Sequence, residues 1–437
     1  MKDIINKISY DVYLITLLTL TFFSYTGHIQ EYLMPILVGI GVLCIIAKRS
    51  VFYIIPIPFF MQMSFSDLRD NVQVTTIYTV IFTILIILDM VRNRKISKKG
   101  YLTLPLLILL GGSVVTHINS PDLFTTFAGF MQVFSVLGLY LYFINTVKKD
   151  SNNYIIVSKL LMYISVLVTL EMLYFIYDSG DLAITIIRSR GIDLGWENLN
   201  VIIYSNLVSI PLIAYLITKT KYKLPYMILA AVSLLGIFLT LSRSSIFTAG
   251  VFVVLLVPTM FITDKRRTSL IINGLIFTAI TSAIIYFSES KYGIISEYIE
   301  AFQSRDLTYF DDRLRILKIS FEQFKLHPIF GSGGLYSSRI HLLETSALNY
   351  HNTIAQASTL GLVGLGGFIF LFFRKTKMIM LSKSSFKWYL LILIYVTAFV
   401  NGMLQPMYFY TTYMIFIFLI LAVLEITENG LFKTKNK

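Results

Sequence analysis

Residues 245–263 read SIFTAGVFVVLLVPTMFIT, nineteen positions without a charge. About 20 apolar residues let an α-helix cross the hydrocarbon of a bilayer. A helix is required there because no water can satisfy an open backbone. The two flanks differ. Residues 239–245 (LTLSRSS) carry one cation, Arg243, whereas residues 264–267 (DKRR) carry three, Lys265, Arg266 and Arg267. Positive loops stay cytoplasmic. This span therefore points Arg243 outward and Lys265–Arg267 inward.

The same pattern repeats along the chain. Apolar runs near 10–26, 31–47, 50–65, 72–91, 101–118, 122–146, 155–177, 200–218, 224–241, 268–287, 353–373, 386–404 and 407–425 are of spanning length or close to it. The shortest, 50–65, contains Pro56 and Pro58. The fold class is an all-α polytopic membrane protein with about 12–14 transmembrane helices. Composition agrees: 56% of the 437 residues are hydrophobic and only 14% are charged, against about 25% charged in an ordinary soluble domain.

A net charge of +13 could suggest a nucleic-acid partner, but its placement argues otherwise. With alternating spans, one side holds 26 of the 37 Lys and Arg and 7 of the 24 acidic residues. That asymmetry is a topology signal. It places both termini in the cytoplasm and requires an even number of crossings. No small-x-small cleavage site follows the first apolar run, so the first helix is expected to be retained. The single Cys44 lies inside a span and supports no disulfide framework.

The expected organisation is helices over 1–287, a large external loop over 288–352, and helices with a short cytoplasmic tail over 353–437. A loop of that length is functional or disordered. Within it, 312–326 (DRLRILKISFEQFKL) has helical periodicity. Asp311 or Asp312 can cap its start, and His327-Pro328 ends it. At 100° per residue, Leu314, Leu317, Phe321 and Phe324 share one face and Arg315, Lys318, Glu322 and Lys325 the other. Arg313 falls on the apolar, packing side, and Arg315 faces solvent. Then come 327–334 (HPIFGSGG) and Tyr350-His351-Asn352 at the mouth of the next span.

Taken in order, LTLSRSS, DDR, HPIFGSGG, HN and GLVGLGG over about 240–367 resemble the O-antigen ligase and O-antigen polymerase family of bacterial envelope enzymes. The resemblance implies transfer of a glycan from a polyprenyl-diphosphate carrier to a sugar hydroxyl at the outer face of the cytoplasmic membrane. It implies no cofactor and no metal. Its implied partners are polyprenyl-diphosphate-linked glycans, membrane lipids, a chain-length regulator and a flippase. By match to the family pattern, Arg243, Arg313 and His351 are the catalytic residues. Arg305, Arg315, Arg339, His327 and His341 are further candidates in the loop.

Residue chemistry is compatible with this. Arginine forks bind phosphate oxygens in pairs and stay charged. Histidine can accept a hydroxyl proton near neutral pH. Asn352, Arg188, Arg190, Arg339, Gly331, Gly333 and Gly334 are expected to touch substrate. Several of these candidates have a plainer alternative. His351 would bond a loop carbonyl. Arg243 would snorkel to headgroups, as would Arg188 and Arg190. The three glycines would form turns with φ > 0 rather than an anion-binding nest. Glycines 361–367 would permit close helix packing. Glu171, inside its span, is a functional candidate by position. The leading expectation is a polymerase of repeat-unit polysaccharide. The alternatives are a ligase moving finished glycan to a lipid or protein acceptor, and a lipid-linked sugar flippase or transporter.

Overall fold

A computed structural model describes residues 9–47, 49–65, 72–93, 99–120, 122–180, 185–186, 192–196, 199–303, 309–335, 337–342, 350–403, 405 and 409–428. The architecture is all-α, with no strand among the described residues. In chain order the helices are α1 (Tyr10–Gly27), α2 (Gln30–Ile46), α3 (Pro56–Met63), α4 (Val72–Asn93), α5 (Thr103–Val115), α6 (Leu123–Thr146), α7 (Asn153–Asp178), α8 (Leu199–Lys219) and α9 (Lys223–Leu239). They continue with α10 (Arg243–Thr263), α11 (Arg267–Tyr292), α12 (Ile294–Gln303), α13 (Tyr309–Leu326), α14 (Ser338–His341), α15 (Thr353–Ser358), α16 (Gly361–Leu381), α17 (Phe386–Val396) and α18 (Thr411–Thr427). Helices over Thr126–Thr146, Asn153–Asp178, Ile202–Lys219, Arg243–Thr263 and Arg267–Lys291 are long and apolar enough to cross a membrane. α11 leaves Ile271, Ile272, Leu275, Ile284 and Phe287 exposed. A continuous apolar surface of that kind calls for lipid, not water.

The chain divides into two compact units, Met1–Arg94 with Tyr154–Arg305, and Lys95–Asn153 with Asp306–Lys437. The long connection after α11 is therefore shared. Its α12 belongs to the first unit, and α13 and α14 belong to the second.

In the first unit α1 and α7 run parallel. Lys159 Nζ pairs with Asp11 at 2.6 Å near their starts, and the Tyr174 hydroxyl donates to the Thr26 carbonyl at 3.1 Å near their ends. The ambiguous run at 50–65 forms a 3₁₀ turn, Val51–Tyr53, followed by α3. It rises beside α1: Tyr13 donates to the Tyr53 carbonyl at 2.6 Å and Thr21 to the Phe60 carbonyl at 3.4 Å. Its helix is only about 12 Å long, less than half of a bilayer core. Between α7, α8 and α9 the core is polar: the Ser165 hydroxyl donates to Asn206 Oδ1 and shares a hydrogen bond with the Ser233 hydroxyl, both at 2.8 Å. Glu171 is fully buried and accepts from the Trp196 indole at 2.9 Å.

In the second unit, one end of the bundle is tied by polar contacts. The Tyr101 amide donates to Glu425 at 2.7 Å, the Leu102 amide to the Tyr140 hydroxyl at 3.0 Å, and Arg374 to the Tyr101 carbonyl at 2.9 Å. The start of α5 and the ends of α6 and α18 therefore lie at one level, with Arg374 of α16. α5 and α16 cross closely. A Cβ on Gly112 would sit 2.5 Å from Gly364 Cα, and one on Gly367 2.8 Å from the Leu109 nitrogen. This is the small-residue packing expected of glycines 364 and 367. A Cβ on Gly366 would meet nothing within 4 Å. The opposite end of the unit holds the turn after α5, the loop after α13, and the break between α15 and α16.

Candidate active site

That opposite end is built around a crossing of two tight turns. The 327–335 loop lies across the α15–α16 break, and residues 331–335 are buried. Gly331, Gly333 and Gly334 have φ of 80°, 110° and 89°, so the glycine requirement read as turns is real. The amides of 331–334 are committed to protein acceptors. Gly331 donates to the His327 carbonyl at 3.0 Å, Ser332 and Gly334 to the Thr359 carbonyl at 2.9 and 3.4 Å, and Gly333 to Thr116 Oγ1 at 3.0 Å. An anion nest needs amides turned toward a ligand. The geometry thus makes Gly331, Gly333 and Gly334 a structural junction whose amides are taken up by the protein.

α13 packs on this junction through Ile316 and Ser320, which are 3% and 4% exposed. Ser320 donates to the Ala355 carbonyl at 3.4 Å, and Ile316 clusters with Leu342, Tyr350 and Ala355. The helix is therefore rotated from the sequence expectation. Leu314, Leu317 and Phe321 are exposed, and Phe324 is partly buried. The surface it packs on combines the apolar Leu342, Tyr350 and Ala355, which Ile316 meets, with the Ala355 carbonyl, which Ser320 meets. Arg313 still lies toward the buried side and is partly buried, while Arg315 is exposed, as the helix angles indicate.

Tyr350-His351-Asn352 is held from several directions. Tyr350 is 1% exposed and its hydroxyl shares a 2.7 Å hydrogen bond with His341 Nδ1. The Gln356 side chain accepts from the Tyr350 amide at 3.3 Å and donates to the Leu335 carbonyl. Asn352 caps α15, accepting from the Ile354 and Ala355 amides at 2.9 and 3.0 Å, and donates to the Met403 carbonyl at 3.3 Å. Its side-chain oxygen thus closes the start of the helix. His351 has φ 49°, a left-handed backbone that costs a non-glycine residue about 1–2 kcal/mol. Such strain is retained where the surroundings over-determine it, often at functional sites.

His351 Nδ1 lies 3.2 Å from Gln405 Oε1. An amide oxygen can only accept, so with Gln405 Oε1 facing the ring, Nδ1 is assigned as the donor, and in the neutral ring Nε2 then holds the lone pair. Burial pulls the ring below its ordinary pKa, the Gln405 bond opposes this, and the positive charge of Arg313 adds to it. Arg313 and His351 are therefore electrostatic neighbours. Burial also lowers Arg313, though a guanidinium stays charged. Among the described residues Arg313 has no hydrogen bond or ion pair. A partly buried cation in that condition is costly unless a ligand meets it.

Arg243, at the first turn of α10 in the first unit, follows Leu241, whose φ is also positive at 49°. Its Nη2 donates to the Phe302 carbonyl at 3.0 Å and its guanidinium lies 5.3 Å from the Phe302 ring centre. It thereby anchors α12. Arg188 and Arg190 lie outside the described residues, as do Arg305 and the side chain of Arg339.

Residues 228–369 match a family described as O-antigen ligase. The matched stretch contains Arg243, Arg313 and His351, and it supports the family read from the motifs. Over that stretch, about a third of its length, the chain is similar to the O-antigen ligase family, and its apolar helices are those of a multi-pass membrane protein. No curated protein and no solved structure matches the chain. Gln405 lies beyond the matched stretch, in the break between the last two helices. No motif marks it in the sequence. Only the fold brings it to His351.

Proposed function

We propose that this protein polymerises oligosaccharide repeat units carried on polyprenyl diphosphate, at the outer face of the cytoplasmic membrane. Both termini are then cytoplasmic, and the end of the second unit that carries His351 is extracytoplasmic. The donor is the growing glycan, and the acceptor is the terminal sugar of one lipid-linked repeat unit. His351 Nε2 takes the proton of the attacking hydroxyl. The bond from the anomeric carbon to the diphosphate breaks as the new glycosidic bond forms. Arg313 receives the negative charge of the departing diphosphate, and Arg243 is assigned the same task by the family pattern. The observation that carries this reading is a partly buried arginine, without a hydrogen bond or ion pair among the described residues, acting electrostatically on a histidine whose Nδ1 faces the Gln405 side-chain oxygen.

The test is glycan chain length on cells lacking the native gene. His351→Ala, Arg243→Ala and Arg313→Ala, at normal protein levels, should each abolish long chains. Retention of long chains by His351→Ala would end the mechanism. The matched family's description favours one other reading, ligation of finished glycan to a separate acceptor. A deletion strain separates the two. Loss of a polymerase leaves single repeat units on the surface, whereas loss of a ligase leaves none.

A further inference from the structure

We propose that Gln405 is the positioning residue that sets the tautomer and proton affinity of His351, so that the break between α17 and α18 is part of the catalytic apparatus. The inference rests on the reading of His351 as the base.

Gln405 is itself held in place. Its amide donates to the Asn401 carbonyl at 2.8 Å, and its carbonyl accepts from Thr353 Oγ1 at 3.2 Å. The adjacent Gly402 carbonyl accepts from the Thr353 amide at 2.8 Å, and Met403 accepts from Asn352. Residues 397–401 form a π-helical turn, a feature frequent at functional sites. Gly402, Met403 and Gln405 are thus bonded to Asn352 and Thr353, the two residues that follow His351, and to the His351 ring. His351 itself has a left-handed φ, and its ring meets Gln405. A neutral amide suits the task. It fixes the proton on Nδ1 and leaves Nε2 as acceptor. A carboxylate there would also bind the imidazolium strongly and slow return of the proton.

The experiment needs no substrate for its first arm. The purified full-length protein, labelled with ¹⁵N-histidine in lipid bilayers, is titrated by solid-state NMR, with His351 assigned from the His351→Ala spectrum. His351 should show Nδ1–H and Nε2 without a proton at neutral pH. Gln405→Glu should move its titration to higher pH and Gln405→Leu to lower pH. In cells, Gln405→Leu should cut long-chain glycan about 3- to 10-fold, and adding it to His351→Ala should cost nothing further. A proton on Nε2, or a titration that neither variant moves, overturns the inference even if His351→Ala is inactive. An active His351→Ala protein instead overturns the functional reading on which the inference rests.

Discussion

Gly331 and Gly361 meet backbone to backbone. A Cβ on Gly361 would lie 2.4 Å from the Gly331 nitrogen, and one on Gly331 would lie 2.6 Å from the Gly361 nitrogen. Both have positive φ, 80° and 66°. This contact fixes the loop after α13 against the start of α16, and through it the floor on which His351 stands. Gly361→Ala should therefore destabilise the protein by more than the about 1–2 kcal/mol of a left-handed alanine. Gly366→Ala, in open space, should be neutral or slightly stabilising. Thermal unfolding of the purified protein distinguishes them, and equal melting temperatures would refute the junction.

Much of this fold could be read from the chain. Long apolar runs with basic ends give α1, α7 and α10 to within a few residues, because bilayer thickness fixes both length and polarity. Arg313 and Arg315 were separable by helix angle alone. The buried face of α13 was not. Periodicity identifies the apolar stripe Leu314, Leu317 and Phe321, but those residues are exposed, and Ser320 goes inward to a carbonyl. Hydrophobicity reports what avoids water, not which neighbour has which shape. The glycines of 331–334 announced a turn but not the destination of their amides. Gln405 gave no signal, since its role arises from two chain breaks meeting 54 residues apart.

Arg313 and Arg315 should respond differently to substitution. Arg313→Ala should lower glycan extension by at least about 100-fold if it stabilises developing charge, whereas Arg315→Ala should stay within about twofold. Arg313→Lys should fall between, since it keeps charge but lacks the fork. The pH dependence gives a second check. The Arg313 charge depresses the His351 pKa, and a base works only when unprotonated. Removing that charge raises the pKa, so residual Arg313→Ala activity should need a higher pH than the parent. An unmoved profile would separate the two residues.

His341 should make the protein acid-sensitive. Burial, with a smaller contribution from His327, holds its pKa down to about 4, while an unfolded histidine titrates near 6.5. Between those values the unfolded chain takes a proton that the folded site refuses. Stability is thus full above about pH 6.5 and declines as pH falls toward 4. Protonation also removes the Nδ1 acceptor for Tyr350. The melting temperature should drop by several degrees from pH 7 to pH 5. His341→Gln, which can still accept from Tyr350, should flatten that slope. A slope unchanged in the variant would assign the acid sensitivity to other groups.

Lys223 and Asp264 form a pair with side chains 0% and 1% exposed. Lys223 Nζ also donates to the Ile217 carbonyl at 2.9 Å, and Asp264 accepts from the Arg266 amide at 2.7 Å. The pair thus ties the end of α8 to the turn between α10 and α11. Burial makes each charge depend on the other, because neither can turn to water. Lys223→Met should cost about 3–5 kcal/mol by leaving the carboxylate without a counter-charge. Adding Asp264→Asn should recover a large part of that loss, since an asparagine oxygen can still accept from Arg266 and carries no charge to bury. A double-mutant cycle on thermal or denaturant unfolding measures the coupling. Strictly additive losses would mean that each residue acts through its backbone contacts and that the ion pair contributes nothing of its own.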